Sequence, residues 1–172
     1  MPRNIEIKAR IASVDVLAPR AAALANGGPV EIEQDDTFFR CEAGRLKLRS
    51  FSAAAGELIF YRRADRHGPN ESFYIRTPTS SPGSLRESLS LAYGVAGRVV
   101  KHRTLYLVGR TRVHLDHVQD LGHFMELEVV LEEGESADAG VLEARALMAR
   151  LGVEPSQLVA AAYVDLLAHA GT

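Results

Sequence analysis

Polar and apolar residues alternate along much of this chain. In the segment Asn4–Ala12, the even-numbered residues through Arg10 are polar and the odd-numbered residues are apolar. Because successive side chains of a strand point to opposite faces, this period of two with β-branched residues predicts a β-strand. The same pattern predicts seven later strands, at about Val30–Arg40, Arg45–Phe51, Glu57–Arg63, Glu71–Thr77, Arg98–Leu107, Thr111–Val118 and His123–Leu131.

Segments of helical composition follow the first strand, separate the fifth strand from the sixth, and follow the eighth. The Ala- and Leu-rich stretch after the first strand predicts a helix with Asp15 as its N-cap. This cap places Pro19 in the first turn, where a missing N–H costs little. Ser84 with Glu87 three residues later is typical of a capping box and predicts a second, short helix. The two remaining helices are predicted from Ser136 to Leu151 and from Pro155 onward.

The order of the predicted elements indicates an α+β fold. Eight antiparallel strands can close into a barrel that is just wide enough for side chains or one small ligand. We therefore predict a single domain over residues 1–172, built as an eight-stranded antiparallel closed β-barrel with flanking helices.

Charged residues share one face on several of the predicted strands. The shared faces carry Glu6 with Lys8, Arg45 with Lys47 and Arg49, Lys101 with Arg103, Arg112 with His114 and Asp116, and Glu126 with Glu128. Two arrangements give this period: the charged faces meet solvent around an apolar core, or they line a tunnel while the apolar faces pack against helices outside. Two features favour the tunnel. Amphipathic helices need apolar sheet surface to cover, and cations and acids segregate onto different strands.

Cations enclosed in a tunnel need an anionic partner, because desolvation opposes their charged form. A polyphosphate supplies that partner, and the acids can hold Mg²⁺ or Mn²⁺, which prefer carboxylate and phosphate oxygens. In the tunnel arrangement the pattern indicates phosphoryl chemistry on a polyphosphate, whereas periodicity by itself leaves both arrangements open.

Composition narrows the class of protein further. The net charge of −2 and the 6% aromatic content disfavour nucleic-acid binding. No apolar run is long enough for a membrane span, the first residues lack an apolar signal region, and a single cysteine, Cys41, excludes an internal disulfide. We therefore expect a cytoplasmic protein with no membrane partner, and a homodimer is left open.

Several segments, in chain order, resemble motifs of the CYTH family, the group of class IV adenylate cyclases and thiamine triphosphatases. Asn4–Lys8 resembles the first-strand motif Glu-x-Glu-x-Lys, and Gly44–Arg49 resembles the family's basic strand. The other matching segments are Gln34–Phe38, Lys101–Arg103, Arg112–Asp116, Leu121–Glu128 and Tyr163–Leu167. The resemblance implies a triphosphate tunnel metalloenzyme, with a charged barrel interior and a requirement for a divalent metal.

Carried over by position, the resemblance also implies three sets of site residues. The metal ligands would be Glu6, Glu126 and Glu128. The catalytic residues would be Asp116, Lys101 and Arg103. The triphosphate would be bound by Lys8, Lys47, Arg49, Arg62, Arg112 and Arg45. For Asp116 and Arg112, a pair that braces the tunnel wall is an equal alternative, and Tyr163 is interpreted as a packing or lid residue.

One position departs from the family motif. Asn4 stands where the motif has its first Glu, and an amide oxygen can coordinate a hard cation but contributes no charge. His114 and His117 can face the tunnel, yet neither has metal-ligand partners at an obvious spacing along the chain.

Three functions remain open at this point. The first is a class IV type adenylate cyclase that converts ATP to cyclic AMP and pyrophosphate. The second is a triphosphatase for thiamine triphosphate, inorganic triphosphate or a nucleotide. The third, motivated by Asn4, is a non-catalytic module that binds a polyphosphate or nucleotide.

Overall fold

Eight antiparallel strands form a closed barrel in the described part of the chain. The structure is a computed structural model, and it describes residues 2–64 and 67–171. Around the ring the strands are β1 (Arg3–Arg10), β5 (Asn70–Thr79), β4 (Ala55–Arg63), β3 (Arg45–Ser52), β2 (Gly27–Phe39), β6 (Val95–Val108), β7 (Thr111–Val118) and β8 (Gly122–Val130). The ring closes where β8 pairs with β1. The predicted α+β class and closed antiparallel barrel are confirmed.

Four α-helices lie among the described residues. They are α1 (Val14–Leu24), α2 (Pro82–Tyr93), α3 (Ala137–Arg150) and α4 (Tyr163–Ala170). None of them has the length and apolar character that a membrane crossing requires. The prediction of a helix from Pro155 onward was wrong in its start: Pro155–Gln157 forms a short 3₁₀ turn, and α4 begins later.

The N-terminal ends of α1 and α2 differ from the prediction. Ser13, not Asp15, caps α1: its backbone is extended and its hydroxyl accepts the Asp15 N–H at 3.1 Å. Pro19 consequently lies inside the helix rather than in its first turn. In α2, Pro82 takes the first helical position, where its fixed φ suits the helix. The helix therefore starts before Ser84, and the predicted capping box is not formed.

The apolar faces of β1, β7 and β8 point outward and are covered by helices. Ile5 and Ile7 of β1, both 1% exposed, pack in one cluster with Leu17 of α1 and Leu147 of α3. The alternate residues of the same strand, among them Glu6, line the barrel interior. The tunnel arrangement, with charged faces inside, is therefore the one that the structure adopts.

A second apolar cluster attaches α4 to the barrel. Val164 packs so closely against Gly97 of β6 that a Cβ on this glycine would lie 2.4 Å from the valine Cγ2. The Tyr163 ring meets Phe124 of β8 edge-on, with 4.9 Å between centroids. This contact brings the first residue of α4 to the wall of the interior.

Close packing of α3 on β1 generates a prediction about two glycines. A Cβ on Gly140 would lie 2.6 Å from Ile5 Cγ1 and 2.8 Å from Leu131 Cδ2. Gly140→Ala should lower the free energy of unfolding by about 1–3 kcal/mol, because this overpacking outweighs the better helix propensity of alanine. Urea denaturation measures the change.

Gly83 in α2 is the matched control. A Cβ there would meet no atom of the described chain within 4 Å. Gly83→Ala should leave stability unchanged or raise it by up to about 1 kcal/mol. Equal effects of the two substitutions would contradict the close packing of α3 on β1.

Candidate active site

The barrel encloses one strongly charged cavity. The cations that line it in the described part of the chain are Lys8, Lys47, Arg49, Arg63, Arg76, Lys101, Arg103 and Arg112. The acids are Glu6, Asp36, Glu57, Glu126 and Glu128. Cations outnumber acids, so the cavity favours an anion.

Asp36 organises the cations on one side of the cavity. Arg49, its register partner on β3, donates from Nε and Nη2 to the two carboxylate oxygens, both at 2.8 Å. Lys47 Nζ lies 3.0 Å and Lys101 Nζ 3.7 Å from Asp36 Oδ2. Burial opposes ionisation of Asp36, but Arg49, Lys47 and Lys101 outweigh it and hold its pKa well below the usual range. One carboxylate therefore faces three cations.

Asp116 holds a second cation in place. Arg103, its register partner on β6, donates to its two oxygens at 2.7 and 2.8 Å, and the Tyr163 hydroxyl donates to Oδ2 at 2.9 Å. Asp116 is 0% exposed and is not among the residues that line the cavity in the ranges described. Its oxygens are already engaged with these donors. Asp116 therefore braces Arg103 and not Arg112, which donates to Glu128 instead. A role for Asp116 beside a reacting phosphate stays a prediction.

Carboxylates gather on the opposite wall. Glu6 of β1 pairs in register with Glu128 of β8, and its Oε2 accepts from Arg63 Nη1 at 3.1 Å. Burial, Glu128 and Glu126 raise the pKa of Glu6 to about 7, although Arg63 opposes the change. Glu128 accepts from Arg112 Nε at 2.9 Å.

This wall has the donors that a hard divalent cation prefers. Glu128 and Glu126 add to the effect of burial in raising the pKa of Glu6, and a cation would relieve their repulsion of its carboxylate. Asn4 also lines the cavity, and its buried Oδ1 has no hydrogen-bond partner among the described residues. Carboxylate and amide oxygens are typical ligands of Mg²⁺ and Mn²⁺. The residues present therefore fit such an ion.

His114 belongs to the same wall. Atoms of His114, Glu126 and Glu128 that could serve as metal ligands all lie within 4.8 Å of one another. These partners lie on β8, where Glu126 is the register neighbour of His114, and for that reason spacing along the chain does not reveal them. His117, by contrast, lies exposed and stacks on His123, with ring centroids 4.4 Å apart.

The lysines of the cavity lack enough anionic partners. Burial, followed by the repulsion of Arg103, lowers the pKa of Lys101 to about 7. Burial also lowers the pKa of Lys8 to about 8, although Glu126 opposes it. Lys8 Nζ donates to the Ala161 carbonyl at 3.1 Å. An anion in the cavity would favour the charged form of both lysines.

Two residues predicted to bind a triphosphate lie elsewhere. Arg62 is exposed on the outer wall, where its Cζ lies 5.7 Å from the Phe60 ring centroid and 5.5 Å from the Phe73 ring centroid. The prediction that Arg62 lies in the interior was therefore wrong. Strand alternation places Arg63 inside instead. Arg45 shares the face of Lys47, but its guanidinium pairs with Asp165 of α4, and the described cavity lining does not include it.

The other predicted residues are brought together. The cavity lining includes Glu6, Lys8, Lys47, Arg49, Lys101, Arg103, Arg112, Glu126 and Glu128. Sequence reasoning did not assign Asp36, Arg63 or His114 to the site. The alternation of Gln34, Asp36 and Phe38 is the signal that could have identified Asp36.

Comparisons with known proteins agree with this geometry. The family model described as the CYTH domain matches residues 2–163. The adenylate cyclase CyaB of Aeromonas hydrophila is 26% identical to this chain. The alignment covers 95% of this chain and 87% of that protein.

Solved structures share the fold. The PH1012 protein of Pyrococcus horikoshii superposes with a TM-score of 0.84 at 21% identity, covering 95% of this chain and 98% of that one. The putative adenylyl cyclase HpAC1 of Hippeastrum, described as having a dominant triphosphatase activity, superposes with a TM-score of 0.67 at 18% identity, covering 98% and 96%.

Lys101 generates a prediction about stability and pH. Its pKa is about 7 in the folded protein against an ordinary value of 10.5, so the unfolded chain binds more protons between these values. The free energy of unfolding should therefore rise as the pH increases from about 7 to 10.5. Denaturation at constant ionic strength measures this slope.

Lys101→Met should reduce the slope and leave the part that Lys8 and Lys47 contribute, because burial lowers the pKa of both lysines as well. Arg62→Met, which removes a cation from the outer wall, is the control and should keep it. A slope that is the same in the Lys101→Met protein would contradict the strong perturbation of this lysine.

Proposed function

Because the chain belongs to the CYTH domain family, we propose that it is a divalent-metal-dependent enzyme that acts on a nucleoside or organic triphosphate. The first candidate reaction is the conversion of ATP to cyclic AMP and pyrophosphate. The observation that carries the proposal is the enclosed cavity, in which cations surround Asp36 on one side and carboxylates gather on the other.

The cation side supports a polyphosphate as the ligand. Lys47, Arg49 and Lys101 face one carboxylate, so positive charge is in excess there. A chain of phosphates carries several negative charges close together and can contact all three side chains at once. Lys8 and Arg103 supply further cations on the same lining.

Apolar and aromatic side chains support an organic group on the triphosphate. The lining includes Ile32, Phe51, Tyr74 and Leu105, and Phe51 is 37% exposed. A base or another ring can pack on such side chains, whereas inorganic triphosphate gains nothing from them.

In the proposed cyclisation the ribose 3′-hydroxyl attacks the α-phosphorus in line, and pyrophosphate leaves. Lys8, Lys47 and Arg49 would hold the phosphates, so positioning and electrostatic stabilisation supply most of the rate. Asp36 and Asp116 would act as positioning residues, because each fixes the guanidinium of an arginine that lines the cavity.

The carboxylate wall would hold the divalent ion. Glu6, Glu126 and Glu128 are the proposed ligands, with Asn4 contributing a neutral oxygen. A bound Mg²⁺ or Mn²⁺ would neutralise phosphate charge and lower the pKa of the attacking hydroxyl. With an amide at position 4, the wall carries one negative charge fewer than the family motif provides.

Hydrolysis of the triphosphate is the second candidate. The likeness to the Hippeastrum protein, whose described dominant activity is that of a triphosphatase, supports it. The same cations and carboxylates would then serve the attack of water on the terminal phosphorus.

Product analysis distinguishes the two reactions. With ATP and Mn²⁺ or Mg²⁺, we expect cyclic AMP and pyrophosphate in equal amounts, measured by chromatography. Glu126→Gln should lower the rate at least about tenfold, as loss of support for a metal typically does. Orthophosphate as the product would favour the triphosphatase. Tight binding without turnover under either metal would contradict an enzyme.

Binding of tripolyphosphate tests the cation side separately from turnover. Lys47→Ala should raise the dissociation constant about 10- to 100-fold, because one charge-assisted contact is lost. Arg49 still pairs with Asp36 in this variant, so the fold should be retained.

Arg62→Ala, on the neighbouring strand β4, is the matched control for Lys47→Ala. Its guanidinium lies over aromatic rings outside the barrel, and the dissociation constant should not change. Calorimetric titration measures both variants. Equal affinity in the Lys47→Ala protein and the parent would remove Lys47 from the triphosphate site.

A further inference from the structure

His114 is a buried imidazole with an unused nitrogen. The side chain lies on β7, lines the cavity and is 4% exposed. Its Nδ1 has no hydrogen-bond partner within residues 2–64 and 67–171. A buried polar atom normally has a partner, so an unpartnered nitrogen that borders a cavity points to a ligand.

Two carboxylates stand within reach of this nitrogen. Glu128 Oε1 lies 3.7 Å from His114 Nδ1, while Arg112 engages the other oxygen of Glu128 at 2.8 Å. The cations nearest Glu126 are Arg103 at 3.7 Å and Lys8 at 4.0 Å, both longer than a hydrogen bond. Each acid therefore keeps an oxygen that can turn toward the imidazole.

We propose that His114 binds, through Nδ1, the divalent ion held by Glu126 and Glu128, and that its imidazole shifts the preference of the site from Mg²⁺ toward Mn²⁺. This inference rests on the proposed function, because it concerns the metal site of the same cavity. It adds a ligand that the carboxylate set does not contain.

The separations suit such a site. The three candidate ligand atoms lie within 4.8 Å of one another. Metal–ligand bonds of about 2.0–2.2 Å place neighbouring ligand atoms about 3 Å apart and opposite ones about 4.3 Å apart in an octahedral site. Small side-chain rotations bring the observed separations into that range.

The preference follows from the chemistry of the donors. Mg²⁺ favours oxygen ligands and retains several waters, whereas imidazole suits transition metals such as Zn²⁺. Mn²⁺ binds carboxylates readily and lies on the transition-metal series, so a set of one imidazole and two carboxylates favours it over Mg²⁺.

Electron spin-echo measurements on the parent protein with Mn²⁺ test the inference directly. We expect a hyperfine coupling from a ligand nitrogen. The measurement needs no variant and no activity, and absence of nitrogen coupling in the parent protein would overturn the proposal.

Two substitutions extend the test. His114→Phe keeps most of the side-chain volume, should abolish the nitrogen signal and should weaken Mn²⁺ binding at least about tenfold. His114→Asn replaces the nitrogen by an amide oxygen donor, and the ratio of Mn²⁺ to Mg²⁺ affinity should fall. Circular dichroism verifies that each variant is folded.

Two controls separate this inference from the proposed function. His117→Phe, on the exposed side of the same strand, should leave the signal and the affinity unchanged. Glu126→Gln should weaken Mn²⁺ binding. If Glu126→Gln weakens binding while His114→Phe changes neither signal nor affinity, the inference about His114 fails and the carboxylate site remains. If neither substitution affects binding, the metal site of the proposed function fails as well.

Discussion

Charge enclosed within a closed sheet is the constraint on which this structure depends. A cation taken out of water is costly unless an anion accompanies it, and here several cations face one cavity. Asp36 pairs with three of them and Asp116 with a fourth. Burial and the repulsion of Arg103 lower the pKa of Lys101, one of the three, to about 7. The protein alone supplies fewer anions than cations, and this imbalance makes the interior a receptor for a polyanion.

Strand register determines how the interior is divided. Asp36 faces Arg49 across β2 and β3, so pairing there brings opposite charges together. Across β1 and β8, Glu6 faces Glu128, a pair of like charges beside the opposite charges of Lys8 and Glu126. The first arrangement fixes the cations without a ligand. The second leaves carboxylates whose repulsion a divalent ion would relieve. A triphosphate with its metal has charges of both kinds, and the two walls complement them.

The sequence predicts what depends on alternation and does not predict what depends on register. For a barrel with a charged interior, the period of two predicts Ile5 outside and Glu6 inside, and the structure has them there. Arg62 and Arg63 are adjacent, so an error of one position reverses the face, and only the observed pairing of β4 assigns Arg63 to the cavity. The relation of His114 to Glu126 joins two strands and leaves no trace in spacing along the chain. Pro19 lies inside a helix because the Ser13 hydroxyl caps that helix. Ser13 and Asp15 can both cap a helix, so the residue types alone do not determine where it begins.

The C-terminal segment supplies uncharged partners for lysines that the barrel encloses. Tyr163 donates its hydroxyl to Asp116, and its ring lies 4.2 Å from Lys8 Nζ and 5.2 Å from Lys101 Nζ. An aromatic face attracts cations without carrying a charge of its own. The Ala161 carbonyl accepts from Lys8 in the same region. These neutral partners stabilise the lysines yet leave their net charge in place, so the cavity keeps its attraction for phosphate while the fold tolerates the crowded cations. A carboxylate at position 163 would instead cancel part of that charge and weaken the attraction, whereas the phenol and the carbonyl do not.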